Sequence, residues 1–398
     1  MNVAKKRLAI IATHPIQYQA PIWRVLAQMP DLDVRVYYGS DFSVQGYKDP
    51  GFGVDVKWDV PLLTGYDYTF LSMSDGKVSV DGMFSLHASN LRKHLRQYQP
   101  DCALVTAYLP AFWLEVIGIL RYMRIPILFR AEATDVAISR QRFKRAVRSW
   151  TLRLLYRQMA CGLAIGHNAR EHYLAHGVPT SRIGWSPYCI DTDLFEQQRD
   201  QYLPQRVDIR RELGLCEDQF VVIYSGKLTP KKDPFSIVRA LELMPEQPRE
   251  RIGLIVVGDG ELRQSFEAAS HKAISRRAIF VGFINQSQIG KYYAAADCLI
   301  LPSAWGETWG LVVNEALQFG LPAIVSDRVG CYPDLIVEGE TGYVFPVGTA
   351  QQLCMCMLKA MNLVSTNRDA VSQRCRSQGA AYSVRSAAEG IRAAVFSL

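Results

Sequence analysis

The chain has 398 residues, 49% of them hydrophobic and 21% charged, with a formal net charge of +7. That length predicts two domains of ordinary size, each with its own core. The composition is ordinary for a globular protein, and no apolar run reaches the ~18–20 residues that a bilayer span requires.

The N-terminus places Lys5, Lys6 and Arg7 before the apolar run Leu8–Thr13. The run is short and His14-Pro15 ends it, so it reads as a first buried strand and not as a signal peptide. Further strands are expected at Val34–Tyr38, Ala103–Thr106, Ile127–Arg130 and Leu163–Ile165, with helices such as Ser85–Tyr98 and Phe112–Met123 between them. The stretch Gly39–Thr69 is rich in Gly, Asp and Pro and reads as loop. A linker is expected over Ser186–Glu217, where Pro187, Asp191, Asp193 and Pro204 interrupt the periodicity. The rhythm then restarts, with strands at Phe220–Ser225, Ile252–Val257, Ala278–Val281, Cys298–Leu301 and Ala323–Val325. Short apolar strands alternating with amphipathic helices predict an α/β fold of two tandem doubly wound, Rossmann-like domains. The expected division is 1–190 and 191–379, with a terminal helix near 380–398 that packs back on the first domain. Two such sheets facing each other make a cleft, with ligands at the carboxyl ends of the strands.

The nine cysteines form no Cys-x-x-Cys pair; the nearest spacing is Cys354-x-Cys356. They read as reduced, buried thiols of a cytosolic protein. No His and Cys spacing suits a metal, so no metal ligand is assigned. The charge is uneven. Residues 1–190 hold 23 Lys/Arg against 14 Asp/Glu, a net of +9, and residues 191–398 hold 22 against 24, a net of −2. The two halves are therefore expected to meet different partners.

Three segments carry chemistry. Gly226, Lys227 and Lys232 follow a strand and precede a helix: glycine lets the backbone approach a ligand, and the lysines suit a diphosphate. A solvated basic turn is an equal reading. Val257-Gly258-Asp259-Gly260 repeats the strand-to-helix position and is ordinary turn chemistry. The third segment, Pro302 to Leu317, carries Glu307 and Glu315 eight positions apart. A helix opening near Gly310 offers backbone N–H groups to an anion, and the carboxylates accept hydrogen bonds from hydroxyls. Glu315 stands among Leu311, Val312, Val313, Ala316 and Leu317, where a carboxylate needs a partner. The bland reading is a helix start with a surface glutamate.

Taken in order, these segments resemble the retaining glycosyltransferases of family 4, over most of residues 160–345. The segment Ser186–Phe195 is similar to that family's interdomain stretch, although Tyr188-Cys189-Ile190 departs from the usual Asn-Gly-Val. The resemblance implies the GT-B fold and a nucleotide-diphosphate sugar, UDP- or GDP-linked, as donor substrate. It implies that Glu315 binds the ribose, that Glu307 contacts the donor sugar, and that Gly226, Gly306, Thr308, Gly310 and Leu311 cradle the donor. Lys227 and Lys232 would neutralise the departing diphosphate without a metal. Lys227 stands where the family has arginine, so a point charge replaces a fork. Glu132 stands where the family often has histidine, either stabilising oxocarbenium-like charge or orienting the acceptor. Acceptor-side candidates are His14 and Gln17, in a Thr13–Pro21 turn where many members have glycines, with Arg130 and Asp135. His14 reads equally as a capping residue, and Arg130 as a structural partner of Glu132 or Asp135.

Residues 139–157 carry Arg140, Arg142, Lys144, Arg145, Arg148, Arg153 and Arg157 with Phe143, Val147, Trp150, Leu154 and Leu155 between them. This basic amphipathic helix suits either an anionic membrane surface or a core with one solvated face. No nucleic-acid motif accompanies it. The expected activity is transfer of a hexose-type sugar to a glycan or lipid-linked acceptor, as in bacterial polysaccharide or envelope assembly, on the inner face of the cytoplasmic membrane or in the cytoplasm. A sugar-nucleotide epimerase and a non-catalytic nucleotide-binding subunit are the competing readings.

Overall fold

The computed structural model describes residues 5–44, 46–49, 51, 55–73, 82–135, 142–274 and 277–398. Two parallel sheets dominate. The N-terminal sheet has seven strands in the order Asp67–Phe70, Leu32–Tyr38, Lys6–Ala12, Cys102–Val105, Ile127–Phe129, Cys161–Ala164 and Ile183–Trp185. The C-terminal sheet has six, in the order Arg277–Gly282, Ile252–Val257, Phe220–Ser225, Cys298–Leu301, Ala323–Ser326 and Gly342–Phe345. These are the two tandem doubly wound domains expected from the alternating pattern, and they match the GT-B fold that the resemblance implies.

Central strands such as Cys102–Val105, Phe220–Ser225 and Cys298–Leu301 are buried along their whole length. Helices cover both faces of a parallel sheet, so such strands read as continuous apolar runs. In each sheet the order reverses beside the first strand, between Lys6–Ala12 and Cys102–Val105 and again between Phe220–Ser225 and Cys298–Leu301. A crevice opens at such a reversal, outside the carboxyl ends of the strands. The loops after these four strands therefore define where a site belongs.

Three features differ from the sequence-based expectation. The segment 186–217 is not a linker throughout: helices Thr192–Tyr202 and Arg206–Glu212 occupy most of it, and Pro204 sits in the short turn Leu203–Gln205 between them. Arg206 and Arg210 bind the buried Asp297, each at 2.6 Å, with Arg368 as a third partner at 2.5 Å. These pairs anchor helix Arg206–Glu212 to the C-terminal domain. Gly39–Thr69 is not all loop, since its last residues enter the edge strand Asp67–Phe70. Helix Ser85–Tyr98 is shorter than expected, beginning at Leu91.

The chain then crosses back. Ala350–Ala380 is helical with a break at Asn367, and Val384–Phe396 lays Val384, Ala387, Ala388 and Ile391 on the outer face of the N-terminal sheet. There Ser186 Oγ donates to the Ala387 carbonyl at 2.9 Å, and Arg392 pairs with Asp31. The C-terminal helix thus ties the two domains together. Among the described residues no helix is long and apolar enough to cross a membrane.

Candidate active site

The C-terminal side of the cleft is built from the loops after Phe220–Ser225 and Cys298–Leu301. Gly226 and Gly258 pack backbone to backbone; a Cβ on Gly258 would fall 1.9 Å from the Gly226 carbonyl oxygen. The Gly-Asp-Gly turn therefore serves to let two strand-end loops touch. The second loop ends at Gly310, whose φ of +102° favours glycine and opens helix Leu311–Gln318 with no side chain capping it. Its first N–H groups are left for an anion.

Glu307 lies in that loop with its carboxylate on the Lys232 ammonium, and Ser303 Oγ donates to it at 2.9 Å. Burial alone would raise the Glu307 carboxyl, but Lys232, Ser303 and Lys231 outweigh it and hold it below its usual range. The group is a buried anion beside two cations. Glu315, 2% exposed, accepts from Tyr293 Oη at 2.8 Å and from Tyr18 Oη at 3.3 Å. Burial pushes its carboxyl up to about 7, against the opposing pull of the two tyrosines. The two glutamates so differ in charge state: Glu307 is ionised at neutral pH, and Glu315 sits at its titration point.

The other partners come from the N-terminal domain. Tyr18 belongs to the turn after the first strand. Lys227 Nζ is held by Asp49 at 2.7 and 2.9 Å. Asn285 Nδ2 donates to the Lys57 carbonyl at 2.9 Å, Ser287 binds Asp59, and the Trp58 and Phe283 rings meet edge to face at 6.3 Å. Asp49 and the strap of residues 57–59 therefore both reach the donor-side loops. Glu132 accepts from Tyr188 Oη at 2.5 Å and from Thr308 Oγ1, which sets it next to Glu307 along the chain of the facing loop. A 380 Å³ cavity runs from Glu132 between Thr13, Ile16, Gln19, Tyr108, Leu109 and Trp113.

The structure brings Glu132, Lys227, Lys232, Glu307, Thr308, Gly310 and Glu315 to one cleft. Gly306, with φ +66°, lies against the Lys231 side chain at its edge, and Leu311 is the first residue of the helix. His14 bonds Thr13 through Nδ1 at 3.0 Å and packs on Phe42; Gln17 is buried beside Tyr18. Two acceptor-side candidates point elsewhere. Arg130 is buried and donates to Ser186 Oγ at 2.8 Å and to the Pro187 carbonyl at 2.7 Å, fastening the interdomain segment. Asp135 holds Arg148 and accepts from His172 Nδ1 at 2.7 Å. Burial would raise its carboxyl, but His172 and Arg148 hold it far below its usual range. Asp135, His172 and His176 do place three donor atoms within 4.8 Å of one another. Arg148 already sits on Asp135 and Tyr156 on His172, so this cluster works as an ion-paired brace.

Tyr18, Asp49, Trp58 and Tyr188 are site residues that sequence reasoning did not assign. Tyr188 left a trace as the aromatic departure within the interdomain segment, and Tyr18 as a member of the Thr13–Pro21 turn, though neither received a role.

Comparison with known proteins agrees with this geometry. Residues 205–377 match the family model described as Glycosyl transferases group 1, a stretch that takes in the C-terminal sheet and the loops carrying Lys232, Glu307 and Glu315. The chain is similar to the sulfoquinovosyl transferase SQD2 of Arabidopsis thaliana, 30% identical over 206 residues, covering 51% of this chain and 38% of that protein. It is also similar to the lipopolysaccharide 1,2-N-acetylglucosaminetransferase of Salmonella typhimurium, 28% identical over 144 residues, covering 34% and 37%. These matches span under two fifths of the relatives' own length. The Anabaena protein Alr3699/HepE, solved in complex with UDP, has a similar fold over 99% of this chain and all of its own, with a TM-score of 0.66 at 17% identity.

Proposed function

We propose that this chain is a retaining glycosyltransferase that moves a sugar from a nucleoside diphosphate to a glycan or lipid-linked acceptor. The observation that carries the reading is the Lys232–Glu307 pair, set beside the uncapped helix start at Gly310 and facing Glu132 of the other domain through Thr308. Cations and a helix terminus stabilise a leaving diphosphate. Glu307 accepts from a sugar hydroxyl at the next position along the donor, and Glu315 from the ribose.

In this reading the bond between the anomeric carbon and the phosphate oxygen breaks as the acceptor oxygen bonds the same carbon on the same face. The acceptor proton passes to the departing phosphate oxygen. Lys227, Lys232 and the helix start supply the positive charge, which is why no metal is assigned. Glu132, at the mouth of the 380 Å³ cavity, orients the acceptor. One named relative is a lipopolysaccharide N-acetylglucosaminetransferase by its name, which supports a lipid-linked acceptor in envelope assembly.

A surface suited to that acceptor lies on helix Arg142–Tyr156. Leu152 and Tyr156 face the core, whereas Val147, Trp150 and Leu154 are 47%, 64% and 40% exposed. Positions 147, 150 and 154 fall on one helix face, next to Arg153 and Arg157. Such a stripe supports peripheral contact with an anionic bilayer. Arg140 and the side chains of Arg142, Phe143, Lys144 and Arg145 lie outside the described residues.

A donor screen read by mass detection of released nucleotide tests the reading. Release of a nucleoside diphosphate that requires an acceptor supports transfer. Turnover of donor with no acceptor indicates an epimerase, and tight binding with no turnover a binding subunit.

A further inference from the structure

Beside Glu315 lies a second, smaller cavity of about 110 Å³. Its walls are Tyr18 and Trp58 from the N-terminal domain, and Phe283, Ile284, Gln286 and Val312 from the C-terminal domain. Trp58 and Phe283 meet edge to face there and each lines the cavity with an aromatic ring. Ser225, Gly226 and Gly258 close the end nearest Lys227.

One polar group in this cavity is unexplained. Gln286 is 5% exposed, yet neither its side-chain oxygen nor its side-chain nitrogen has a hydrogen-bond partner in the structure. The carboxamide lies beside the Tyr18 hydroxyl, which already donates its proton to Glu315. Its backbone is firmly placed, because Gln198 Nε2 donates to the Gln286 carbonyl at 2.7 Å. A buried carboxamide short of partners is costly, and such a group in a native structure calls for an explanation, of which a ligand that satisfies it is one.

We infer that this cavity holds a one-ring, pyrimidine base and that Gln286 and Trp58 bind it. The inference rests on the donor-site reading above and names the base of that donor. Three observations converge. A cavity of ~150 Å³ holds a benzene ring, so a 110 Å³ pocket open toward the cleft suits one ring and crowds a bicyclic purine. An aromatic wall offers a face on which a planar heterocycle stacks. A carboxamide presents one donor and one acceptor side by side, which pair with the N3–H and adjacent carbonyl of uracil or, turned over, with the ring nitrogen and amino group of cytosine; purine edges offer the same pair, so the size of the pocket makes the choice and Gln286 binds the base that fits. The pocket also lies between Glu315, the ribose ligand of the proposed function, and the strap. Base choice is thereby read from both domains at once.

The test is calorimetric titration of the full chain with UDP, CDP, GDP and ADP, with no transfer required. Wild type is expected to bind UDP or CDP at least about tenfold tighter than either purine nucleotide, the loss typical of a site whose buried polar group goes unpaired. Gln286→Leu should weaken pyrimidine binding by about tenfold and purine binding much less, and Trp58→Ala should weaken pyrimidine binding as well. Thermal melting checks that the variants fold, and the wild-type ranking stands without them. GDP or ADP binding as tightly as UDP and CDP would overturn the inference and leave the donor site intact. So would unchanged pyrimidine binding in Gln286→Leu. Binding of none of the four to wild type would instead remove the donor-site reading, and the inference with it.

Discussion

Tyr18 and Glu315 stand 297 positions apart and share a hydrogen bond of 3.3 Å, the tyrosine donating across the cleft. The hydroxyl belongs to the turn after the first strand of one domain, and the carboxylate to the helix that opens the proposed diphosphate cradle of the other. The contact makes the ionisation of Glu315 sensitive to how the two domains meet.

A pH dependence follows. The folded protein holds the Glu315 proton up to about pH 7, whereas the ordinary value is 4.5. The folded state therefore binds more protons than the unfolded one between these values, and stability from this group falls as pH rises through 7, by up to about 3 kcal/mol. Nucleotide binding runs the other way, since ribose hydroxyls donate best to the ionised form. Affinity for a nucleoside diphosphate should rise about tenfold from pH 6 to pH 8, and Glu315→Gln should flatten that rise. Titration calorimetry at the two pH values reads both.

Glu132 separates acceptor from donor. Its partners are Tyr188 and Thr308, and the 380 Å³ cavity lies on the side away from the lysines. Glu132→Ala should lower transfer by about a hundredfold or more while nucleotide affinity stays within about twofold. An equal loss of nucleotide binding would move Glu132 to the donor side.

Asp297 bears on stability alone. It is 1% exposed and neutralises Arg206 and Arg210, which are themselves largely buried, together with Arg368. Burial would raise its carboxyl, but the three arginines hold it below its usual range. Asp297→Ala leaves buried cations unpaired and should cost about 3–5 kcal/mol of unfolding free energy. Urea denaturation measures this, and a loss under about 1 kcal/mol would mean that the arginines relax into solvent.

The apolar stripe on helix Arg142–Tyr156 predicts a membrane effect. Replacing Trp150 and Leu154 with serine should reduce co-sedimentation with vesicles containing anionic phospholipid by about tenfold or more, with melting temperature little changed because both side chains face outward. Unchanged sedimentation would return the helix to a purely structural role.

Legibility in the sequence followed burial. Phe220–Ser225, Ile252–Val257 and Cys298–Leu301 were readable to the residue because both faces of each are covered, so the apolar run ends where the strand ends. Asp67–Phe70 was not readable, because it is an edge strand whose residues are partly or largely exposed. Gly342–Phe345 is four residues long and begins on glycine, which mutes a strand signal. Within the site, Glu307 and Glu315 sit in one contiguous loop-and-helix pattern and the two lysines in another, so each set is marked locally. Tyr18, Asp49 and Trp58 reach it through contacts between distant segments, which no local pattern encodes. Arg130 looked like a cleft residue because it ends a strand, but its guanidinium turns to the interdomain segment, where buried carbonyl and hydroxyl oxygens need donors.

The central claim is that Glu307 contacts the donor sugar with Lys232 beside it. The most direct measurement is steady-state transfer, with the donor identified by the screen, by wild type and Glu307→Gln in parallel with titration of the bare nucleoside diphosphate. Glu307 is assigned to the sugar and not to the nucleotide. The variant should therefore lose about two to three orders of magnitude in kcat, bind the nucleoside diphosphate within about threefold of wild type, and melt as wild type does. Transfer at the wild-type rate with the same donor would contradict the account.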